Sequence, residues 1–364
     1  VVTTFKWGIF GTGAISAKFI AGLAAARDAE ASFVASRSLE TARSFAATMG
    51  IARAVEGYAQ GAGAGGVDAI YIGTPASEHA AHALLCIEAG IPVLVEKPLA
   101  MNAVDAQRIA DAARANGVFV MEAMWTRFLP AAQALKARME QGAIGEVRMV
   151  SGSFGSAKQV DPESNGFNPA RGGGAMAQLG VYPVSLAQWL FGEPTLVHAT
   201  GTMGETGVDE DAAFQFRFAN GVIGTFYASS RSWTPNDFQV MGTEGILGFQ
   251  GPIYRPSGLT LLTKRPVRTG KANFGWRFRL REHDVFHRVA QTIGWSDRNR
   301  GKAELLPYPG NGYSAEADEV RQCVQAGALE SAVMPLDDSI AVARIVDEIR
   351  AAIVSGGAAH RQAE

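Results

Sequence analysis

The segment Phe5–Ser16, FKWGIFGTGAIS, decides the fold. An apolar strand, Phe5 to Phe10, runs directly into Gly11-Thr12-Gly13-Ala14-Ile15-Ser16, and helix-forming sequence continues through Ala26. The first glycine permits the tight turn and the second lets backbone N–H groups approach a pyrophosphate. The N-terminus of the helix then supplies partial positive charge. Ser16 stands where a small third residue is needed for close helix–strand packing. Glycine spacing alone is a weak signal, because Gly61, Gly63 and Gly66 also fit G-x-G-x-x-G. That second match precedes the strand Val67–Ile72 instead of following one, and no helix succeeds it, so it reads as an αβ connection.

Outward from this turn the chain alternates strand and helix. Ala31–Ser36 is a second strand, Ser38 caps a helix ending near Gly50, and Val67–Gly73 is a third strand. Glu78–Ala89 is a helix followed by Gly90, and Val93–Glu96 a strand. Asn102 caps a helix with Asp105 three residues on and Gly117 beyond its end, before a strand that begins at Val118–Met121. Repeated strand–helix order implies a doubly wound parallel sheet. From about residue 146 the pattern changes to strands such as VRMVSGSF, AAFQFRF and VIGTFYASS, with turns at Asn220-Gly221 and Glu244-Gly245. These imply a mostly antiparallel, open-faced sheet with helices on one face, including late helices at Ser314–Ala328 and Ser339–Val354. The expectation is an α/β protein: a Rossmann domain over 1–124 and an α+β domain over 125–364, with 264–302 as an insertion.

Length and composition agree. A chain of 364 residues exceeds one ordinary core. Hydrophobic content of 47% with 19% charged residues is that of a soluble globular protein, and a net charge of -2 argues against a general nucleic-acid binder. No stretch approaches the ~20 apolar residues of a membrane span. The chain enters strand-like sequence within five residues, which reads as no signal peptide. Cys86 and Cys323 lie far apart in helical patterns as packing residues, so neither a disulfide nor a metal framework is expected and a cytoplasmic setting is the default.

The functional signals lie at strand ends. The stretch Pro92–Pro98, PVLVEKP, is a buried strand that stops at Glu96-Lys97-Pro98. Lys97 is therefore either a surface charge or a group at the crevice where open α/β sheets bind ligands. The second strand ends Ala35-Ser36-Arg37-Ser38, without the acidic residue that usually accepts from an NAD ribose. A hydroxyl and a guanidinium suit a 2′-phosphate, so NADP is expected, with NAD the alternative and a solvated Arg37 the bland reading. His79 and His82 share a helix face, but no third ligand lies nearby, and they read as structural histidines.

Taken with Thr74-Pro75 and His79, the E-K-P of Glu96–Pro98 and the W-T-R-F of Trp125–Phe128 resemble the glucose-fructose oxidoreductase/inositol dehydrogenase (Gfo/Idh/MocA) superfamily. EKPLAMN with MEAMWTRFLP, GGGAMAQLGVYPVSLAQWLFG, PIYRP and the GYSAEADEVRQC tail most resemble its dimeric dihydrodiol dehydrogenases, which also oxidise D-xylose with NADP. The resemblance implies that Gly11, Thr12, Gly13, Ala14, Ile15, Ser36, Arg37, Thr74, Pro75, His79, Glu96, Lys97, Trp125 and Arg127 border the cofactor. Lys97, Trp125, Phe154, Gln178 and Tyr182 would border a polyol substrate. It implies a homodimer or higher homo-oligomer through the open sheet, while the charge and hydropathy noted above argue against a nucleic-acid or membrane partner. Lys97 and Tyr182 would be catalytic. Where the family often carries Asp, four residues before the tyrosine, this chain has Gln178, whose amide can orient a hydroxyl but cannot hold charge.

An unperturbed tyrosine, with pKa about 10, is a poor base near neutrality. An ammonium at ~4 Å favours tyrosinate by up to about 4 kcal/mol at an effective dielectric of ~20. Lowering the pKa by two units needs only about 2.7 kcal/mol. The expectation is that Lys97 lowers the pKa of Tyr182, the general acid/base, and hydrogen-bonds the reacting oxygen. The reaction expected is hydride transfer with an aldose or trans-dihydrodiol. A non-catalytic NADP-binding regulator and a sugar–sugar oxidoreductase that retains its cofactor are the alternatives.

Residues 264–302 carry 11 Lys/Arg against 3 Asp/Glu, a formal +8 against -10 for the remainder. Phe286, Val289, Ala290 and Ile293 have helical spacing, and packing against an acidic body is favoured over a membrane or nucleic-acid surface.

Overall fold

The computed structural model describes residues 4–263, 275–281, 283–292 and 301–356. The first half alternates β1 (Phe5–Phe10), α1 (Ala14–Leu23), β2 (Ala29–Ser36), α2 (Leu39–Met49), β3 (Arg53–Glu56), α3 (Tyr58–Ala62) and β4 (Ala69–Ile72). It continues through α4 (His79–Glu88), β5 (Val93–Glu96), α5 (Ala103–Asn116) and β6 (Val120–Ala123). These strands form one parallel sheet in the order β3-β2-β1-β4-β5-β6. Alternate side chains enter two separate cores. Trp7, Ile9, Tyr71 and Leu94 pack on the α1 face, whereas Phe10, Ile72, Val93 and Val95 pack on the α4/α5 face. That is why these strands read as continuous apolar runs.

The helix boundaries follow local chemistry. The Ser38 hydroxyl accepts from the Thr41 N–H, and Asn102 Oδ1 accepts from the Asp105 N–H at 2.8 Å. Gly50 and Gly117 end their helices at φ +70° and +62°, the left-handed region that favours glycine. The second G-x-G-x-x-G match lies in α3 and the loop to β4, as an αβ connection.

After α6 (Pro130–Glu140) come β7 (Val147–Gly155), α7 (Val181–Phe191), β8 (Pro194–Met203), β9 (Asp209–Phe218) and β10 (Ile223–Ser229). Then follow β11 (Phe238–Gly242), β12 (Gly245–Gln250), β13 (Gly258–Thr263), α8 (Trp276–Arg281), α9 (Asp284–Thr292) and β14 (Lys302–Leu305). The eight strands form a second sheet, β14-β13-β12-β11-β7-β10-β9-β8, antiparallel except where β7 pairs with β10. Two closing helices, α10 (Tyr313–Gln325) and α11 (Leu336–Ser355), return to the first sheet, where α10 packs on α1 and α11 on α5. The helix expected near 286–293 is α9. Its Val285 and Val289 are more than half exposed, and Ile293 lies outside the described residues. No described helix is long and apolar enough to cross a membrane.

Candidate functional site

The β1–α1 turn is built to approach a ligand closely. Gly11 has φ +99°, and a Cβ there would lie 2.8 Å from the Gly73 carbonyl oxygen. Gly13 caps α1 without a side chain, and a Cβ on it would meet nothing nearer than the Gly73 carbonyl at 4.0 Å. The N–H groups at the start of α1 thus face open space, bordered by half-buried Thr12 and Ile15 and exposed Ala14. Ser16 is fully buried against Gly73, which a side chain would displace. At the end of β2, Ser36 is buried and Arg37 exposed, with no ion pair to Arg37 among the described residues. These residues fit a dinucleotide: backbone donors and a helix N-terminus for the pyrophosphate, an available guanidinium for a ribose phosphate.

Three buried side chains fix the loop after β5. Glu96 accepts from the Tyr71 hydroxyl at 2.7 Å and from the Lys97 N–H at 3.2 Å. Glu122 accepts from the Leu99 N–H at 3.0 Å. The His79 ring spans Pro98 O, 2.8 Å from Nδ1, and Thr74 O, 3.0 Å from Nε2. His79 is buried and straps the Thr74-Pro75 strand end to the Lys97 loop. Burial lowers its pKa, against the pull of the two carbonyls.

Lys97 Nζ donates to the main-chain carbonyl of Gln178 at 2.9 Å and stands 5.2 Å from the centroid of the Tyr182 ring. The lysine and tyrosine are therefore neighbours, as the resemblance implied, but the expected effect on Tyr182 is reversed. Its hydroxyl accepts from Trp125 Nε1 at 3.3 Å, and burial, reinforced by Glu96, raises the phenol pKa. The ammonium lies over the ring face, so its attraction does not outweigh desolvation. Burial also lowers the pKa of Lys97, opposed by Glu96. Gln178 meets Lys97 through its backbone, while its amide nitrogen donates to Gly172 O at 3.1 Å.

Rings wall the space beside Tyr182. Phe154 packs edge-on against Tyr182 at 5.3 Å and stacks on Tyr254 at 5.0 Å. Trp125 stacks on Tyr313 at 4.6 Å. Sequence reasoning gave no role to Tyr254 or Tyr313; the PIYRP and GYSAEADEVRQC segments that contain them were the available signal. Arg127 does not belong to this wall. Its guanidinium is fully buried and donates to Ser185, Gln188 and Asp338, the last at 2.5 Å. It joins the W-T-R-F turn to α7 and to the start of α11.

Residues 5–124 match the oxidoreductase family with an NAD-binding Rossmann fold, and residues 132–248 match the GFO/IDH/MocA C-terminal domain. The trans-1,2-dihydrobenzene-1,2-diol dehydrogenase of Bos taurus is 33% identical over 360 residues, covering 96% of each chain. The Homo sapiens enzyme of that name is 32% identical over 359 residues, again with 96% of each chain covered. Levoglucosan dehydrogenase in complex with NADH and levoglucosan has TM-score 0.81 at 21% identity, covering 99% of this chain and 100% of that one. An aldose-aldose oxidoreductase from Caulobacter crescentus complexed with glycerol has TM-score 0.80 at 22% identity, covering 98% and 99%. At such identities the two structures speak for the fold alone. With both family models matched in sequence order and full-length relatives at about one-third identity, the chain belongs to the Gfo/Idh/MocA family of NAD(P)-dependent oxidoreductases.

Proposed function

We propose that the protein is an NADP-dependent oxidoreductase transferring hydride between the nicotinamide and a carbinol or carbonyl carbon of a sugar or cyclic diol. The observation that carries this reading is Lys97, a half-buried ammonium at the carboxyl end of β5, set over Tyr182 beside an aromatic wall. Bound at the β1–α1 turn, NADP supplies the ring carbon that accepts or returns the hydride. Arg37 and Ser36 hold the ribose phosphate. Trp125, Phe154 and Tyr254 cover the faces of a ring-shaped substrate. An ammonium has three donors, and Gln178 takes one, which leaves two for the reacting oxygen. Tyr182 carries its proton at rest and hands it to a carbonyl oxygen during reduction. In oxidation the phenol must first lose that proton, so Lys97 and Tyr182 act as a pair.

The division at residues 124/125, with 264–302 as an insertion, belongs to the same reading, as does a cytoplasmic setting supported by the free thiols Cys86 and Cys323. A homodimer through the second sheet is supported by one cross-strand row on its open face. Ile223 pairs with Met149, Met149 with Met241, Met241 with Ile246 and Ile246 with Leu262. Met149 and Ile223 are nearly half exposed, an apolar stripe that a second copy would cover.

The direct test is a panel of aldoses, inositols and trans-dihydrodiols, each offered with NADP+ and NAD+ and followed by reduced-cofactor absorbance. Turnover of at least one class, faster with NADP+, is expected. Turnover of none would contradict the reading.

A further inference from the structure

Glu316 is a buried ionisable group that the proposed chemistry does not use. It sits on α10 one turn beyond Tyr313, on the same helix face, and is 0% exposed. Neither of its carboxyl oxygens has a hydrogen-bond partner among the described residues. Tyr313 stacks on Trp125, whose Nε1 donates to the Tyr182 hydroxyl, so Glu316 stands on the element that backs the candidate site.

The groups that face it define its state. Glu96 from β5 is the carboxylate that acts on it most, and Glu316 in turn acts on Tyr71 of β4, Tyr182 of α7 and Tyr313 of its own helix. Tyrosines bring no positive charge. From α1, the one ionisable side chain, Lys18, is solvent-exposed, and the Arg127 guanidinium is engaged with Ser185, Gln188 and Asp338. Glu96 is also buried, and burial with repulsion from Glu122 raises its pKa, but it has compensation that Glu316 lacks. It has the Tyr71 hydroxyl and the Lys97 N–H as donors, and the Lys97 ammonium as a neighbouring charge. Glu316 has burial and repulsion from Glu96, and both raise its pKa.

We propose that Glu316 is a neutral carboxylic acid in the resting enzyme. An unpaired carboxylate so buried keeps its proton sooner than bear the desolvation cost. The proton spares the site a further buried negative charge beside Glu96 and Glu122, the two carboxylates that act on Lys97. An ionised Glu316 would oppose loss of the Tyr182 proton, the step that oxidation requires. Glu316 is thus a positioning residue that acts through Glu96 and Tyr182, and its catalytic consequence rests on the function proposed above.

The test reads the proton itself in the full-length protein at pH 8, by infrared difference spectroscopy of the C=O stretch of a neutral carboxylic acid. The wild type should show a band that is lost in Glu316→Gln and kept in Glu96→Gln. Glu316→Met is the second variant, expected to lose the same band. Absence of such a band from the wild type, or its survival in both Glu316 variants, would overturn the proposal. In the activity arm, Glu316→Gln should keep kcat/KM for oxidation at pH 7 within about threefold of wild type, because a neutral amide replaces a neutral acid. A loss of about 100-fold or more with the fold intact would overturn the assignment of a neutral, non-reacting acid. The infrared result needs no turnover, so failure of the proposed activity and failure of this proposal are distinguishable.

Discussion

The Lys97 ammonium lies over the face of the Tyr182 ring, 5.2 Å from its centroid, while the Tyr182 hydroxyl receives its hydrogen bond from Trp125. A cation placed there holds the ring in position and does little to ionise the phenol. Burial, the larger effect, raises the Tyr182 pKa above its ordinary value of about 10.

The first consequence is a direction-dependent pH profile. The phenolate fraction rises about tenfold per pH unit below the phenol pKa, so oxidation should accelerate with pH through the neutral and mildly alkaline range. Reduction uses the protonated phenol and should be nearly flat there. Initial rates in both directions from pH 6 to 9 check this, and an oxidation rate that is already level at pH 7 would place the working pKa lower.

Tyr254 should govern substrate affinity. Its ring stacks on Phe154 and faces Tyr182 at 6.4 Å. Aromatic contacts of this kind contribute about 0.5–1.5 kcal/mol beyond area burial. Tyr254→Ala should raise KM for a ring-shaped substrate by roughly 2- to 13-fold and change the dissociation constant of the cofactor less, as steady-state kinetics and cofactor titration would show.

Arg127 should matter to stability before it matters to chemistry. Removing its guanidinium strips Asp338 and Gln188 of buried partners. Breaking a buried ion pair from one side typically costs about 3–5 kcal/mol, so Arg127→Ala should shift the urea midpoint strongly downward. An unchanged midpoint would contradict a structural role for this guanidinium.

His82 makes an acid-side prediction. Burial, followed by the charge of His79, lowers its pKa from 6.5 to about 4. Folded His82 therefore stays neutral where the unfolded chain takes up a proton. Its contribution to stability is complete above pH 6.5 and is lost as pH falls from 6.5 toward 4, by about 3 kcal/mol in all. His82→Phe, which can keep the ring packing on Tyr58, should flatten unfolding free energy over that window.

What the sequence disclosed follows the range of the interactions concerned. The Gly11/Gly13 turn, the Ser38 and Asn102 caps and the glycines at 50 and 117 each act within a few residues, and their chemistry is written locally. The end of β5 at Lys97 was legible for the same reason. The aromatic wall was not, because Tyr254 enters from the β12–β13 connection and Tyr313 from α10, and only tertiary packing brings them to Trp125. The buried partners of Arg127 were not legible either, because Ser185, Gln188 and Asp338 lie far along the chain and only packing brings them to it. The protonation state of Tyr182 depends on desolvation, which no spacing encodes.

In the function proposed above, Lys97 acts in the reaction and not in holding the cofactor. Single-turnover hydride transfer should be compared in wild type and Lys97→Met at saturating NADP+, with the cofactor dissociation constant measured in parallel. The expected result is a rate at least ~100-fold lower in the variant with cofactor affinity within a few-fold. A near-wild-type rate in a variant that still binds NADP+ would contradict it.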